Sequence, residues 1–153
     1  AEQNIINNYS DLNDQKIAQQ YSLATLYYST MGEGSNNSSS SWFESDFWLN
    51  LVDECQWYGV ECGQEGSEFQ DMVIKIHLAN NNLEGTLPPD LALLSTSLSV
   101  LVLANNDISG PLPETFGKLS HLSELDLNNN RLSGSIPSNL GKATSLSSLD
   151  LSF

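Results

Sequence analysis

The segment IHLANNNLEGTLP, residues 76–88, occurs again with small changes as LVLANNDISGPLP at 101–113 and LDLNNNRLSGSIP at 125–137. Leucine or isoleucine, asparagine, glycine and proline stand at matching positions in all three copies. A fourth copy begins LSSLDL in residues 146–153. A unit of about this length, repeated in tandem, predicts a solenoid in which each repeat covers the apolar face of its neighbour. We therefore assign residues 73–153 to three full repeats and a truncated fourth.

The alternating pattern leucine-x-leucine in each copy predicts a short strand, because successive side chains of a strand point to opposite faces. Stacked repeats would place these strands in one parallel sheet on the concave face. The asparagine after each strand can satisfy backbone groups of a buried turn. We expect a ladder of such side chains through the core, formed by Asn81, Asn106 and Asn130.

The outward side chains of these strands are the candidate ligand-binding residues, because they cover the concave face. They change from apolar and weakly basic in the first two repeats to acidic in the last two. The candidates are Lys75, His77, Val100, Val102, Glu124, Asp126, Asn128, Ser148 and Asp150.

Asp126 and Asp150 occupy the same position in adjacent repeats, which predicts a separation of roughly 5 Å across the sheet. Paired carboxylates at this distance occur in retaining glycosidases and can also hold a hard cation such as calcium. An open sheet offers little burial to raise the pKa of a catalytic acid. We therefore predict no catalytic residue, no cofactor and no metal site, and interpret the pair as an acidic, solvated patch.

Residues 1–72 lack the repeat and have three parts. Apolar residues at helical spacing, Ile17, Tyr21, Ala24 and Tyr28, predict a helix over about 11–30 with one apolar stripe. Residues 31–41 are rich in Gly, Ser and Asn, which predicts an exposed loop. Residues 42–72 contain all three tryptophans and are expected to form a small core. Trp42, Phe43, Phe47 and Trp48 are expected to pack in it, and docking of a partner on these four residues is the alternative.

Cys55 and Cys62 have six residues between them and no histidine nearby in sequence. A disulfide is the favoured interpretation and two reduced structural cysteines the alternative, since two ligands would leave a zinc site half filled. A disulfide indicates an oxidising compartment. Three N-glycosylation acceptors agree with such a compartment: Asn8, Asn36 and Asn37.

The chain carries 19 acidic and 5 basic side chains, a formal charge of −14. Nucleic acid and anionic membranes are disfavoured as partners, because both require Lys and Arg to replace counterions. No segment is long and apolar enough to predict insertion into a membrane.

The repeat pattern L-x-x-N-x-L-x-G-x-[I/L]-P resembles the plant-type leucine-rich repeat of receptor-like kinases, receptor-like proteins and polygalacturonase-inhibiting proteins. Trp48 followed by CQWYGVEC at 55–62 is similar to the N-terminal cap of that family. The resemblance implies an α/β solenoid, a right-handed superhelix with short parallel strands on its concave face, behind a helical, disulfide-stapled cap in residues 1–72.

The resemblance also implies a non-catalytic module, secreted or on the outer face of the plasma membrane, that binds a protein, peptide or glycan on its concave face. Another oxidising lumen is the alternative compartment. A structural subunit or adhesive spacer, and an inhibitor of a wall-degrading hydrolase, are the alternative functions. We expect the strand at Leu149 and Leu151 to be covered by further repeats or by another subunit.

Overall fold

The computed structural model describes residues 2–31, 42–50 and 52–152, with side chains in the first helix from Asp14 onward. The chain begins with helix α1 (Glu2–Thr30), which starts earlier than the predicted position near Asp11, because residues 2–10 contain no glycine or proline to end it. The strands are β1 (Val60–Cys62), β2 (Val73–His77), β3 (Glu84–Thr86), β4 (Val100–Val102), β5 (Asp107–Gly110), β6 (Glu124–Asp126), β7 (Arg131–Leu132) and β8 (Ser148–Asp150).

Helix α1 does not bury its apolar stripe. Ile17, Tyr21 and Tyr28 are 56%, 55% and 63% exposed, so most of the apolar stripe faces solvent. The buried face lies between them and consists of Gln19, Ser22, Leu23, Leu26 and Thr30. Three of these five side chains are polar, so hydrophobic spacing alone could not identify the face.

The buried polar side chains of α1 are satisfied by hydrogen bonds to other parts of the chain. The Gln19 side-chain amide donates to the Glu54 carboxylate over 3.0 Å, and its oxygen accepts from the backbone N–H of Val73 over 2.6 Å. Ser22 donates to the carbonyl of Asp90 over 3.1 Å. Because each buried group has a partner, α1 can pack a polar face against the first repeat without a large desolvation penalty.

Glu54 is fully buried and carries an ion pair with Lys16 of α1 over 3.0 Å. Lys16 also contacts the exposed carboxylate of Asp53 over 3.0 Å. Partial burial lowers the pKa of Lys16, but its bonds to Asp53 and Glu54 outweigh this and raise the pKa above its ordinary value. Partial burial likewise raises the pKa of Asp53, but the N–H of Cys55 and the Lys16 ammonium hold that pKa below its ordinary value.

Cys55 and Cys62 form a disulfide with an S–S distance of 2.01 Å, which excludes the alternative of two reduced cysteines. The bond ties a 3-10 helix (Glu54–Gln56) to β1. Strand β1 pairs antiparallel with β2, so this loop covers the first edge of the repeat sheet.

The aromatic segment divides into buried tryptophans and exposed phenylalanines. Trp42, Trp48 and Trp57 are 6%, 8% and 5% exposed, and successive ring centroids lie 4.8 and 5.2 Å apart. Phe43 and Phe47 are 72% and 51% exposed. The predicted core is therefore confirmed for the tryptophans only.

The main sheet has the order β1-β2-β4-β6-β8, and all pairs after the first are parallel. A second, parallel sheet, β3-β5-β7, lies on the side of each repeat. Met31 forms a parallel bridge to Glu84 of this second sheet. A Cβ on Gly85 would lie 2.1 Å from the carbonyl oxygen of Ser29, so glycine is required for this approach to α1.

The convex side consists of 3-10 helices, each preceded by the proline of the repeat: Pro89–Leu94, Glu114–Lys118 and Ser138–Lys142. The core between these helices and the sheet is formed by the leucines and isoleucines of the repeat. Phe116 fills the centre and is fully buried. The predicted solenoid fold, with a helical, disulfide-linked cap, is confirmed.

Of the three buried asparagines, Asn106 and Asn130 bond to the turn that precedes their own in the stack. Asn106 accepts from the N–H groups of Asn81 and Leu83, both over 3.0 Å, and donates to the carbonyl of Leu78 over 2.9 Å. Asn130 accepts from the N–H of Ile108 over 3.0 Å. The first rung has no preceding repeat, and there Asn81 bonds both backbone groups of Glu44 in the cap, over 2.7 and 2.8 Å.

Two further periodic features escaped the sequence analysis. The residue before each ladder asparagine has a positive φ, 56° at Asn80, 55° at Asn105 and 51° at Asn129, a conformation that asparagine tolerates. Serines before the strands form a second ladder, in which Ser123 donates to the carbonyl of Ser99 over 2.9 Å and Ser147 to that of Ser123 over 3.1 Å.

Candidate functional site

The concave face presents two columns of side chains that run across the parallel strands. The pairing places Lys75 opposite Val100, then Glu124, then Ser148. The second column follows two residues later along each strand, from His77 to Val102, Asp126 and Asp150. Neighbouring members of a column are about 5 Å apart, the spacing of paired strands.

Exposure and charge change along these columns. His77 is exposed, Val102 is only 9% exposed, and Asp150 is exposed. Beside Val102, Ala104 is also buried, so the centre of the face is flat and apolar. The half-buried carboxylates of Glu124 and Asp126 begin the acidic end.

The carboxylates of Asp126 and Asp150 stabilise the ends of their own strands. Asp126 accepts from the backbone N–H of Asn128 over 3.1 Å and from its side-chain amide. Asp150 accepts from the N–H and the hydroxyl of Ser152 over 2.9 and 2.7 Å, and these two bonds hold its pKa below the ordinary value. A carboxylate with a lowered pKa and full exposure is unsuited to act as a general acid near neutral pH.

The first strand of the face is covered at its side by the cap. Lys75 contacts both carboxylate oxygens of Glu61 on β1 over 3.1 Å. This ion pair neutralises the basic residue nearest the cap. The sequence did not predict it, because nothing in the spacing shows that β1 pairs with β2.

Three kinds of candidate site outside the concave face are His121, any metal-binding cluster and the glycosylation acceptors. His121 lies in an exposed loop, where Nδ1 is 3.0 Å from the carbonyl of Ser95. In the part of the chain that the structure describes, no three His, Cys, Asp or Glu side chains are grouped so that they could hold a metal ion. Asn36 and Asn37 lie outside the described residues, and so does the side chain of Asn8.

None of the helices in the described ranges combines the length and the apolar composition needed to span a membrane.

Two grooves lie outside the concave face, one along the second sheet and one at the turns. The first, which we name the Tyr28 groove, has a volume of about 410 Å³ and is lined by Tyr28, Glu84, Thr86, Asp107, Ser109 and Arg131, among others. The second, the Phe43 groove, has a volume of about 370 Å³ and is lined by Phe43, Asn80, Asn82, Asn105, Asn106 and Asp107. Asp107 lines both grooves, so the two are adjacent.

Comparison with known proteins identifies related sequences and structures. Family models described as leucine rich repeat match residues 73–94 and 96–153, together more than half of the chain. Receptor-like protein 31 of Arabidopsis thaliana is 33% identical over 107 residues, which are 66% of this chain and 12% of that relative. The chain thus spans about an eighth of the length of this relative.

Solved plant structures share the same architecture. The structure of the BIR3–SERK2 complex from Arabidopsis thaliana has a TM-score of 0.66 and 32% identity, and the match covers 85% of this chain and 65% of that chain. The ectodomain of the receptor kinase SOBIR1 from the same plant has a TM-score of 0.65 and 27% identity, covering 88% of this chain and 66% of that one.

Proposed function

The chain belongs to the leucine-rich-repeat family and is similar to plant receptor-like proteins, and from this premise we propose that it is a non-catalytic recognition module that binds a protein or peptide on its concave sheet. The observation that carries the proposal is the graded column from His77 through Val102 to Asp126 and Asp150. An apolar centre with Val100 half-exposed, beside a charged end, offers a partner both apolar contact and orientation.

The chemistry of this face favours a partner with an apolar segment followed by basic groups. The apolar segment would cover Val100, which is half-buried and lies beside the already buried Val102 and Ala104. Basic groups would meet Glu124, Asp126 and Asp150, none of which forms an ion pair within the described residues. Lys75, the basic residue of the first strand, is already paired with Glu61, which reduces its attraction for an acidic partner.

Two observations support a recognition role outside the cytosol. A similar solved structure is described as a complex of two proteins, BIR3 and SERK2. The disulfide between Cys55 and Cys62 is typical of secreted and extracellular domains. We therefore place the module in the secretory pathway, on the outer face of the plasma membrane or beyond it.

The test is selection of peptides on the purified chain from a displayed random library, followed by calorimetric titration of the selected peptides. We expect these peptides to combine apolar and basic residues. Replacing Asp126 and Asp150 together by asparagine keeps the oxygen that accepts the strand-end hydrogen bonds but removes both charges. Since each exposed ion pair contributes about 0.2–1 kcal/mol, the loss of two should lower affinity about two- to thirtyfold.

The matched control is Glu68→Gln, which removes an exposed carboxylate in the cap, away from the sheet. It should change affinity less than about twofold, the effect of charge alone at a distance. Peptides that bind the double variant as tightly as the original chain would show that the acidic end of the concave face is not the binding site.

A further inference from the structure

We infer that the Tyr28 groove and the Phe43 groove together form a second binding site, for a neutral oligosaccharide. Each groove contains one strongly exposed aromatic ring, Tyr28 at 63% and Phe43 at 72% exposure. Each ring stands among polar side chains rather than in an apolar patch. The site lies at the turns and the second sheet, so it does not depend on the concave face.

The lining of the grooves matches the two kinds of surface on a sugar ring. The ring faces present C–H groups, which pack on exposed aromatic rings such as Tyr28 and Phe43. Sugar hydroxyls both donate and accept hydrogen bonds, and here they would meet hydroxyl, amide and carboxylate groups. Those groups belong to Thr86, Asn80, Asn105, Asp107 and Ser109.

The size and shape of the site fit a short oligosaccharide. Each groove has a volume within the range of about 300–1,000 Å³ that is common for small-ligand sites. Both are lined by Asp107, so one ligand can cross from the first groove to the second. Asp107 pairs with Arg131 over 2.9 Å, and both of these side chains line the first groove.

Charge disfavours the other ligand classes. An anionic sugar would meet the carboxylates of Glu84 and Asp107 on a chain of net charge −14, and the only arginine in the grooves is already paired. A basic peptide would find stronger attraction on the concave face, where Glu124, Asp126 and Asp150 have no ion-pair partner among the described residues. A neutral ligand avoids both effects.

The experiment is saturation-transfer NMR and calorimetry on the full chain with cellohexaose, xylohexaose and mannohexaose as neutral probes. Hexagalacturonate serves as the anionic probe and hexalysine as the basic one. We expect at least one neutral probe to bind, with Tyr28→Ala and Phe43→Ala each weakening it about three- to tenfold by loss of one stacked ring. The matched control is Tyr21→Ala, a tyrosine of similar exposure, 55%, on the same helix but outside both grooves.

Unfolding of each variant is measured in parallel, so that a change in affinity is counted only for a folded chain. Binding of a neutral probe that falls in both groove variants and stays within about twofold in the Tyr21 variant supports the site. The inference is overturned if no neutral probe binds, or if binding is unchanged in the groove variants or equally reduced in the control. It is also overturned if hexagalacturonate or hexalysine binds the grooves more tightly than every neutral probe.

Discussion

The repeats and the cap are stabilised in opposite ways. In the repeats the same contact recurs, as when Asn106 and Asn130 each bond the preceding turn. In the cap each contact occurs once, and the three tryptophans, the disulfide and the buried Glu54 have no second copy. Damage to one rung of the ladder leaves the others in place, whereas damage to the cap removes the cover of the first repeat. The following predictions test this difference, from the largest expected effect to the smallest.

Trp48→Ala should lower the free energy of unfolding by about 4 kcal/mol, because a buried tryptophan leaves a large cavity. Trp48 packs between Trp42 and Trp57 and donates to the carbonyl of Tyr58 over 2.9 Å. The measurement is denaturant unfolding. The adjacent, exposed Phe47→Ala is the control and should change stability by less than about 0.5 kcal/mol. Equal effects of the two substitutions would mean that the tryptophan cluster is not the core of the cap.

Asn106→Ala should destabilise the chain by about 3 kcal/mol, because it leaves the buried N–H groups of Asn81 and Leu83 without their acceptor. The same unfolding assay measures it. Asn139→Ala is the control on the convex side, where the side chain makes one exposed bond to Glu114, and should cost less than about 0.5 kcal/mol. If Asn106→Ala lowered the free energy of unfolding more than Trp48→Ala, the ladder would contribute more to stability than the core of the cap, which contradicts the prediction.

Reduction of the disulfide, or Cys55→Ser with Cys62→Ser, should cost about 2–3 kcal/mol, as expected for a short closed loop. The destabilisation should be confined to the cap and to the first strand of the repeats. Hydrogen exchange followed by mass spectrometry should show faster exchange in β1 and β2, and unchanged exchange in β6. Equal acceleration in all three strands would show that cap and repeats unfold as one unit, which contradicts the comparison.

The smallest effect concerns the ion pair between Asp53 and Lys16. The folded state holds the pKa of Asp53 below its ordinary value, so the ionised carboxylate stabilises the fold above about pH 4 and loses this contribution as the pH falls through the lowered pKa. Asp53→Asn should reduce stability by less than about 1 kcal/mol at neutral pH. The difference from the original chain should vanish in acid. A difference that persists at low pH would assign the effect to packing instead of charge.

The repeats could be predicted from the sequence because three copies show which positions are shared and which vary by chance. Position, spacing and direction of β2, β4 and β6 follow from the leucines and from the shared asparagine. The left-handed turn residues Asn80, Asn105 and Asn129 could also have been found, since an asparagine pair recurs at each turn. The leucine spacing does not indicate them, because their conformation depends on the backbone of the turn and not on burial of the side chain.

The cap could be predicted only in part, since its contacts are long-range and occur once. Two sets of residues at helical spacing compete for the core in α1, and the more apolar set, with Tyr21 and Tyr28, is the exposed one. Gln19 is buried because Glu54 and Val73 satisfy it, and both lie far away in sequence. Likewise, the pairing of Glu61 with Lys75 depends on the position of β1, which no periodic pattern indicates.

For the site, the sequence predicts the residues of the columns and their order across the strands, because the register follows the repeat. It does not predict the grooves, which depend on Tyr28 and Phe43 from two parts of the cap meeting the turns of the repeats. Sites formed between a periodic and a non-periodic region require the tertiary structure.

The direction of the asparagine hydrogen bonds determines how the number of repeats can change in evolution. Each later ladder asparagine bonds backbone groups of the turn before it, as Asn106 does with Leu78. For the first asparagine, Asn81, the backbone of Glu44 in the cap provides these groups. A duplicated unit of 24 residues, such as 105–128, would therefore find a suitable donor and acceptor on both sides. Gain or loss of whole repeats by recombination keeps the asparagine bonds between neighbouring turns, whereas insertion of a partial unit does not. Because each asparagine bonds only to a neighbouring turn, the number of repeats can vary in evolution while the local structure of each repeat is preserved.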